Sequence, residues 1–178
     1  TWTSRLRRLG ACSEAIEWAA QYPSLEAAWA ACERGDWMLW LASRVSGPPE
    51  SESHRRLVTT ACECARLSLP AWERHYPENR TPHVAIETAE RWTRGEATLE
   101  EVRSASAYAA SAASAASDDA VAYAAYASAA YAAADAASAA YAAYASDAAF
   151  AARASVLREC ADIVRRHYPA PPAIEEEL

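Results

Sequence analysis

The stretch LEAAWAACERGDWMLWLASRV, residues 25–45, decides the architecture. It sets two runs of alanine and bulky apolar residues on either side of a charged glycine corner, with no period-two alternation. Ser24 stands where an N-cap belongs, ahead of LEAAWAACER, and Gly35 is expected to end that helix as a C-terminal breaker. Asp36 is then expected to cap the next helix, WMLWLASRV, which the loop SGPPESES closes. Helix, corner, helix is the unit from which the rest of the chain is read.

Working outward, the same pattern recurs. Residues 12–22, CSEAIEWAAQY, carry Ile16, Ala19 and Ala20 on one side, and Pro23 stops the run. A helix begins near His54 and continues through LVTTACECARLSL to Pro70, which kinks or restarts it before Trp72 and Tyr76. Thr81 and Pro82 read as an N-cap with proline in the first turn, opening HVAIETAERWTRG. In that helix Val84, Ile86, Ala89 and Trp92 are expected to face inward, with the end at Gly95. Thr98 and Glu101, three apart, form a capping box for a long helical region reaching about His167. Strand and hairpin signals are missing. The expected fold is therefore all-α: a multi-helix bundle with long alanine-rich C-terminal helices. It is read as a single domain over 1–168, with a Trp-rich half at 1–98 and an Ala/Tyr-rich half at 99–168. An acidic, Pro-rich tail over 169–178 is expected to be loose.

Between Ser104 and Ser155 the chain holds 30 alanines in 52 residues, with neither glycine nor proline. Alanine loses no side-chain entropy on ordering, so this tract is helix and not linker. YAAYAS at 123–128 recurs at 141–146, an offset of about five helical turns. Tyr108, Tyr126 and Tyr144 would then share one face of an unbroken helix. Breaks are expected near Ser117–Asp119 and Ser146–Asp147, since a continuous helix over 99–167 would be about 100 Å long. The tyrosine stripe has two open readings: packing in the core or between copies, or an exposed face that grips a partner.

Bulk properties narrow the function classes. The formal net charge is −7 and all 17 basic residues are arginine, so a nucleic-acid role lacks its phosphate-neutralising patch. No apolar run approaches the roughly 18 residues of a membrane span. The five cysteines, Cys12, Cys32, Cys62, Cys64 and Cys160, contain no Cys-x-x-Cys pair, and Cys62 and Cys64 point about 200° apart on a helix. They read as reduced, mostly buried thiols of a cytoplasmic protein. No nucleophile elbow, phosphate loop or metal spacing is legible, and no catalytic residue, metal or cofactor is assigned.

Two concentrations of charge and aromatic rings remain as binding candidates. One is the corner itself, Arg34, Asp36 and Trp37, where a guanidinium can reach a carboxylate or orphan helix carbonyls. The other is Arg80 with Glu87, Arg91 and Trp92, in which Glu87 and Arg91 have the spacing of a helical ion pair. Tyr108, Tyr126 and Tyr144 complete the set.

The succession LEAAWAACERGDWMLWLASRV, CARLSLP and AIETAERWTRGEATLEEVRSA, followed by the alanine-rich tract, resembles the Imm-5-like family of immunity proteins, whose members occur in bacteria and phages. The resemblance extends over about residues 10–168, and its most specific pieces are the Cys-x-Arg-Gly-Asp-Trp corner and the Ala-Ile-Glu-x-Ala-x-x-Trp-x-x-Gly-Glu helix. It implies a helical protein that binds and neutralises a toxin, with no catalytic residues to carry over. The acidic balance would suit a basic toxin such as a nuclease. Two alternatives stand beside it: a phage-type sequestering protein whose Tyr/Arg pockets hold a nucleotide signal, and a self-assembling structural subunit. A homo-oligomer is expected.

Overall fold

The computed structural model describes residues 1–67, 69–115 and 150–174. Among these every regular element is an α-helix: α1 (Trp2–Leu9), α2 (Ser13–Ala19), α3 (Leu25–Ala31), α4 (Gly35–Val45), α5 (Glu52–Arg66), α6 (Leu69–His75), α7 (Thr81–Thr93), α8 (Leu99–Ala115) and α9 (Phe150–His167). The expected breaks near 117 and 146, and Tyr126 and Tyr144, lie outside the described residues.

Helix α5 is the axis of the fold and packs on α4, α7 and α9. That position explains why its buried residues, Leu57, Val58, Ala61, Cys62, Cys64 and Ala65, wrap more than one side of the helix. The Cys62 thiol points at the Ile86 carbonyl of α7 (4.0 Å), and the Cys64 thiol at the Cys160 carbonyl of α9 (3.8 Å). The angular separation read from the Cys-x-Cys spacing thus becomes two different helix contacts. Ala61, Ala85, Ala89 and Ala161 are wholly buried, which lets the helices approach closely. Leu57, Ile86, Val102 and Val164 fill the space between, each contributing roughly 1.5–3 kcal/mol of burial.

Helix ends follow the local chemistry closely. Ser24 and Ser51 accept from the amides of Ala27 and His54, as N-caps should. Thr98 and Glu101 close the capping box in both directions, at 2.6 and 3.2 Å. Backbone bonds to the Thr98 amide hold the Glu101 carboxyl below its usual range. Gly95, at φ +78°, ends α7 with amide bonds from Gly95 to Trp92 and from Glu96 to Arg91, the six-to-one closure that a left-handed residue permits. Pro70 falls in the first turn of α6, so it restarts a helix after α5 has ended.

Several expectations are corrected. Val84 is 50% exposed, because the buried face of α7 runs through Pro82, Ala85, Ile86 and Ala89, and Val84 lies opposite Ile86 on the wheel. Ala20 is exposed, since α2 ends one residue earlier. The start of α7 is held by Asn79, whose Oδ1 accepts from both the amide and hydroxyl of Thr81. Residues 169–174 are described, and Ile174 packs partly buried against the core while Arg5 donates to its carbonyl.

All five cysteines are free, and Cys12 alone is exposed. Burial pushes the Cys62 thiol up to about 12 and the Cys32 thiol up to about 11. A hydrogen bond to Cys160, followed by burial, raises Cys64 as well. A thiol-specific reagent at neutral pH should therefore titrate one fast equivalent from the native protein and five after denaturation. A folded-state pKa above the unfolded value of about 8.5 means that burial of the neutral thiol stabilises fully below that pH. The stability falls as pH rises through 9 towards 11, by up to about 1.4 kcal/mol per pH unit per thiol. Urea midpoints measured from pH 7 to 10 should decline more steeply for the wild type than for Cys62→Ala.

Candidate functional site

The corner between α3 and α4 departs from its sequence reading in an informative way. Helix α3 ends at Ala31, Cys32 turns extended, and residues 32–34 form a short non-helical link before α4 begins at Gly35. Gly35 is neither a breaker nor left-handed; it is the first residue of α4. A Cβ there would lie 2.4 Å from the Cys160 Cβ and 2.7 Å from the Ala161 amide nitrogen, so glycine is what brings α4 onto α9. Asp36 does not cap its own helix either. It is only 6% exposed, and its carboxylate receives both Nε (2.8 Å) and Nη2 (2.6 Å) of Arg34 in a two-pronged bond. Sitting in the first turn of α4, the carboxylate also complements the helix dipole.

Arg34 is the hub of an aromatic and acidic face. Its guanidinium carbon lies 4.1 Å above the Trp37 ring, and Nη1 reaches Glu14 of α2 at 3.3 Å. Trp37 meets Trp18 at 5.8 Å between ring centroids, and Trp18 meets Tyr22 at 4.7 Å. Glu14 and Trp18 stand four residues apart on α2, Tyr22 follows four residues later in the turn after it, and Glu17 lies beside them at the surface. Trp18 and Trp37 also wall an apolar groove of about 60 Å³, shared with Trp2 and Leu6 of α1, Ala15 of α2 and Leu25 of α3.

The corner is fastened from behind by Arg165 of α9. Its Nη1 donates to the carbonyl of Cys32 (2.7 Å) at the end of α3 and to that of Trp29 (3.3 Å), which also accepts the Cys32 amide, while Nη2 pairs with Asp162 at 2.7 Å. The guanidinium-to-carbonyl contact expected of the corner is therefore made by an arginine 133 residues beyond Cys32. Trp29 adds an indole bond to the Tyr168 carbonyl at 3.0 Å.

The second candidate group divides. Arg80, Glu87 and Arg91 sit on the exposed face of α7, but Glu87 lies nearest Arg80 (3.8 Å) and Arg91 donates to the Glu96 carbonyl (2.9 Å), so the expected Glu87–Arg91 pair is not formed. The bidentate ion pair on this helix is Glu90 with Arg66 of α5, at 2.8 Å for both contacts. Trp92 is buried, meets His54 edge-on at 6.0 Å and lies under Arg55; it belongs to the core. Tyr108 is 70% exposed. Arg91 lies with Glu100 and Glu101 in an open cleft between α7 and α8.

Sequence reading missed Glu14, Glu17, Trp18, Tyr22 and Arg165. The four-residue spacing of Trp18 and Tyr22 was visible; the long-range reach of Arg165 was not. Among the described residues no group of His, Cys, Asp and Glu could hold a metal ion, and no helix is long and apolar enough to cross a membrane.

One family model, described as Imm-5 like putative immunity protein, matches residues 47–170. The match covers α5 to α9 and leaves the α3–α4 corner outside it. No curated protein and no solved structure matches the chain.

Proposed function

We propose that this chain, which belongs to the Imm-5-like immunity protein family, neutralises a protein toxin by binding it, without catalysis, in the cytoplasm of the cell it protects. Family membership carries the reading, and the physical character of the molecule fits it. Cross-braced helices, with Arg165, Gly35 and the Glu90–Arg66 pair locking them, make a rigid body that loses little entropy on docking. A net charge of −7 favours a basic toxin, steering its approach and speeding association.

Neither the groove beside Trp18 nor the cleft at Arg91 suits the nucleotide alternative. The groove beside Trp18 is apolar and, at about 60 Å³, smaller than the roughly 150 Å³ that accommodates benzene. The cleft at Arg91 sets two carboxylates beside its one cation, which opposes a phosphate.

The test is pairwise. The products of the genes beside its own are purified and titrated against the full chain, and each is co-expressed with it in a growth assay. One basic neighbour should bind with a Kd in the nanomolar range and lose its toxicity. Absence of both binding and rescue for every neighbour overturns the proposal.

A further inference from the structure

We propose that Cys64 of α5 and Cys160 of α9 form a peroxide-sensitive redox site, at which a reversible disulfide latches the two helices together. The inference is independent of the toxin-binding reading and concerns two thiols to which that reading gives no role.

Position is the first support. The two residues are 96 apart in sequence, yet the Cys64 thiol points at the Cys160 carbonyl at 3.8 Å. A side-chain hydrogen bond joins Cys64 to Cys160 as well. Ala61 and Ala65 on α5 and Ala161 on α9, each at most 1% exposed, are sequence neighbours of the pair and let the two backbones approach. A disulfide requires such an approach, since its Cα atoms usually stand about 4.4–6.8 Å apart. Gly35 of α4 abuts the Cys160 Cβ, where a larger residue would force α4 away. The other cysteines are directed elsewhere. Cys62 points at the Ile86 carbonyl of α7, Cys32 at the Arg34 carbonyl at 3.5 Å, and Cys12 is exposed. Packing thus singles out one pairing.

Chemistry is the second. Cys64 and Cys160 are 6% and 8% exposed, which shuts out a bulky disulfide such as oxidised glutathione and leaves a small neutral oxidant, hydrogen peroxide. Peroxide takes one sulfur to a sulfenic acid; its O–O bond breaks and one water is released. The second sulfur displaces hydroxide from the first, and the hydroxide leaves as water with the remaining thiol proton. Two thiols and one peroxide become one S–S bond and two waters. The hydrogen bond to Cys160, followed by burial, holds Cys64 as the thiol, so the site answers sustained oxidant and not a brief pulse. Once formed, the link closes a loop containing α6, α7, α8 and the alanine tract, which restricts the unfolded chain.

The experiment uses the full chain carrying Cys12→Ser, which removes the exposed thiol. The protein is incubated with excess hydrogen peroxide, quenched with catalase and unfolded in N-ethylmaleimide. Mass spectrometry should count two alkylated thiols in place of four, peptide mapping should join Cys64 to Cys160, and dithiothreitol should restore all four. The unfolding equilibrium constant of the oxidised form should be about a thousandfold smaller, as a cross-link spanning roughly 100 residues implies. Cys62→Ala in the same background should still cross-link, and Cys160→Ala should not. Four intact thiols after an exposure that fully oxidises Cys12 in the wild type would overturn the proposal. So would oxygen adducts without a cross-link, a cross-link between another pair, or an oxidised form no more stable than the reduced one.

Discussion

Replacing Gly35 by alanine is expected to destabilise the protein by about 3 kcal/mol, the upper end of what an extra methyl group costs in a packed interface. The new Cβ would fall 2.4 Å from the Cys160 Cβ, 2.7 Å from the Ala161 nitrogen and 2.8 Å from the Cys160 carbonyl carbon. Two of these are backbone atoms, so no side-chain rotation can make room, and α4 must lift from α9. Thermal unfolding should drop by roughly 6–12 °C for a domain of this size. Cys160→Gly in the same chain should recover only part of the loss, because the backbone contacts remain. Gly95→Ala makes a useful comparison: nothing lies within 4 Å of its Cβ, but its φ of +78° costs about 1 kcal/mol for a side-chain-bearing residue. A larger loss at Gly95 than at Gly35 would mean that the α4–α9 approach is looser than described.

Arg165→Ala is expected to cost about 2–3 kcal/mol, which reflects two charge-assisted bonds and a Cys32 carbonyl that would otherwise be left without a partner. The substitution removes the guanidinium donor to Cys32 and Trp29 together and leaves the Cys32 amide as the donor at the end of α3. Arg165→Lys should recover less than half, since a single ammonium cannot serve two carbonyls and Asp162 in the geometry of a planar fork. Trp29 lies beside the lost contact and its indole is tied to Tyr168, so near-ultraviolet circular dichroism should weaken along with stability. Unchanged stability in Arg165→Ala would show that the corner holds through Gly35 and Asp36 alone.

The candidate site was partly legible. Arg34, Asp36 and Trp37 stand together because they are neighbours in sequence, and the two-pronged bond from Arg34 to Asp36 spans only two residues. Trp92 reads in sequence both as inward-facing and as a binding candidate, and its burial bears out the first reading, while helical spacing alone misplaces Val84 on the inward face of α7. Glu87 and Arg91 had the spacing of a pair, yet each found another partner once the turn after α7 placed the Glu96 carbonyl near Arg91.

Local chemistry in the sequence determined the helical class, the capping serines, the Thr98–Glu101 box and the closure at Gly95, because each depends on atoms within a few residues. Tertiary structure alone decided what the corner is for. Gly35 is glycine because of Cys160, the end of α3 is capped from Arg165, and Asp36 turns away from its own helix towards an arginine anchored on α2 through Glu14. Cys160 and Arg165 lie more than a hundred residues from the corner, and only the packing of α4 against α9 brings them within reach of it, while Glu14 reaches Arg34 from α2.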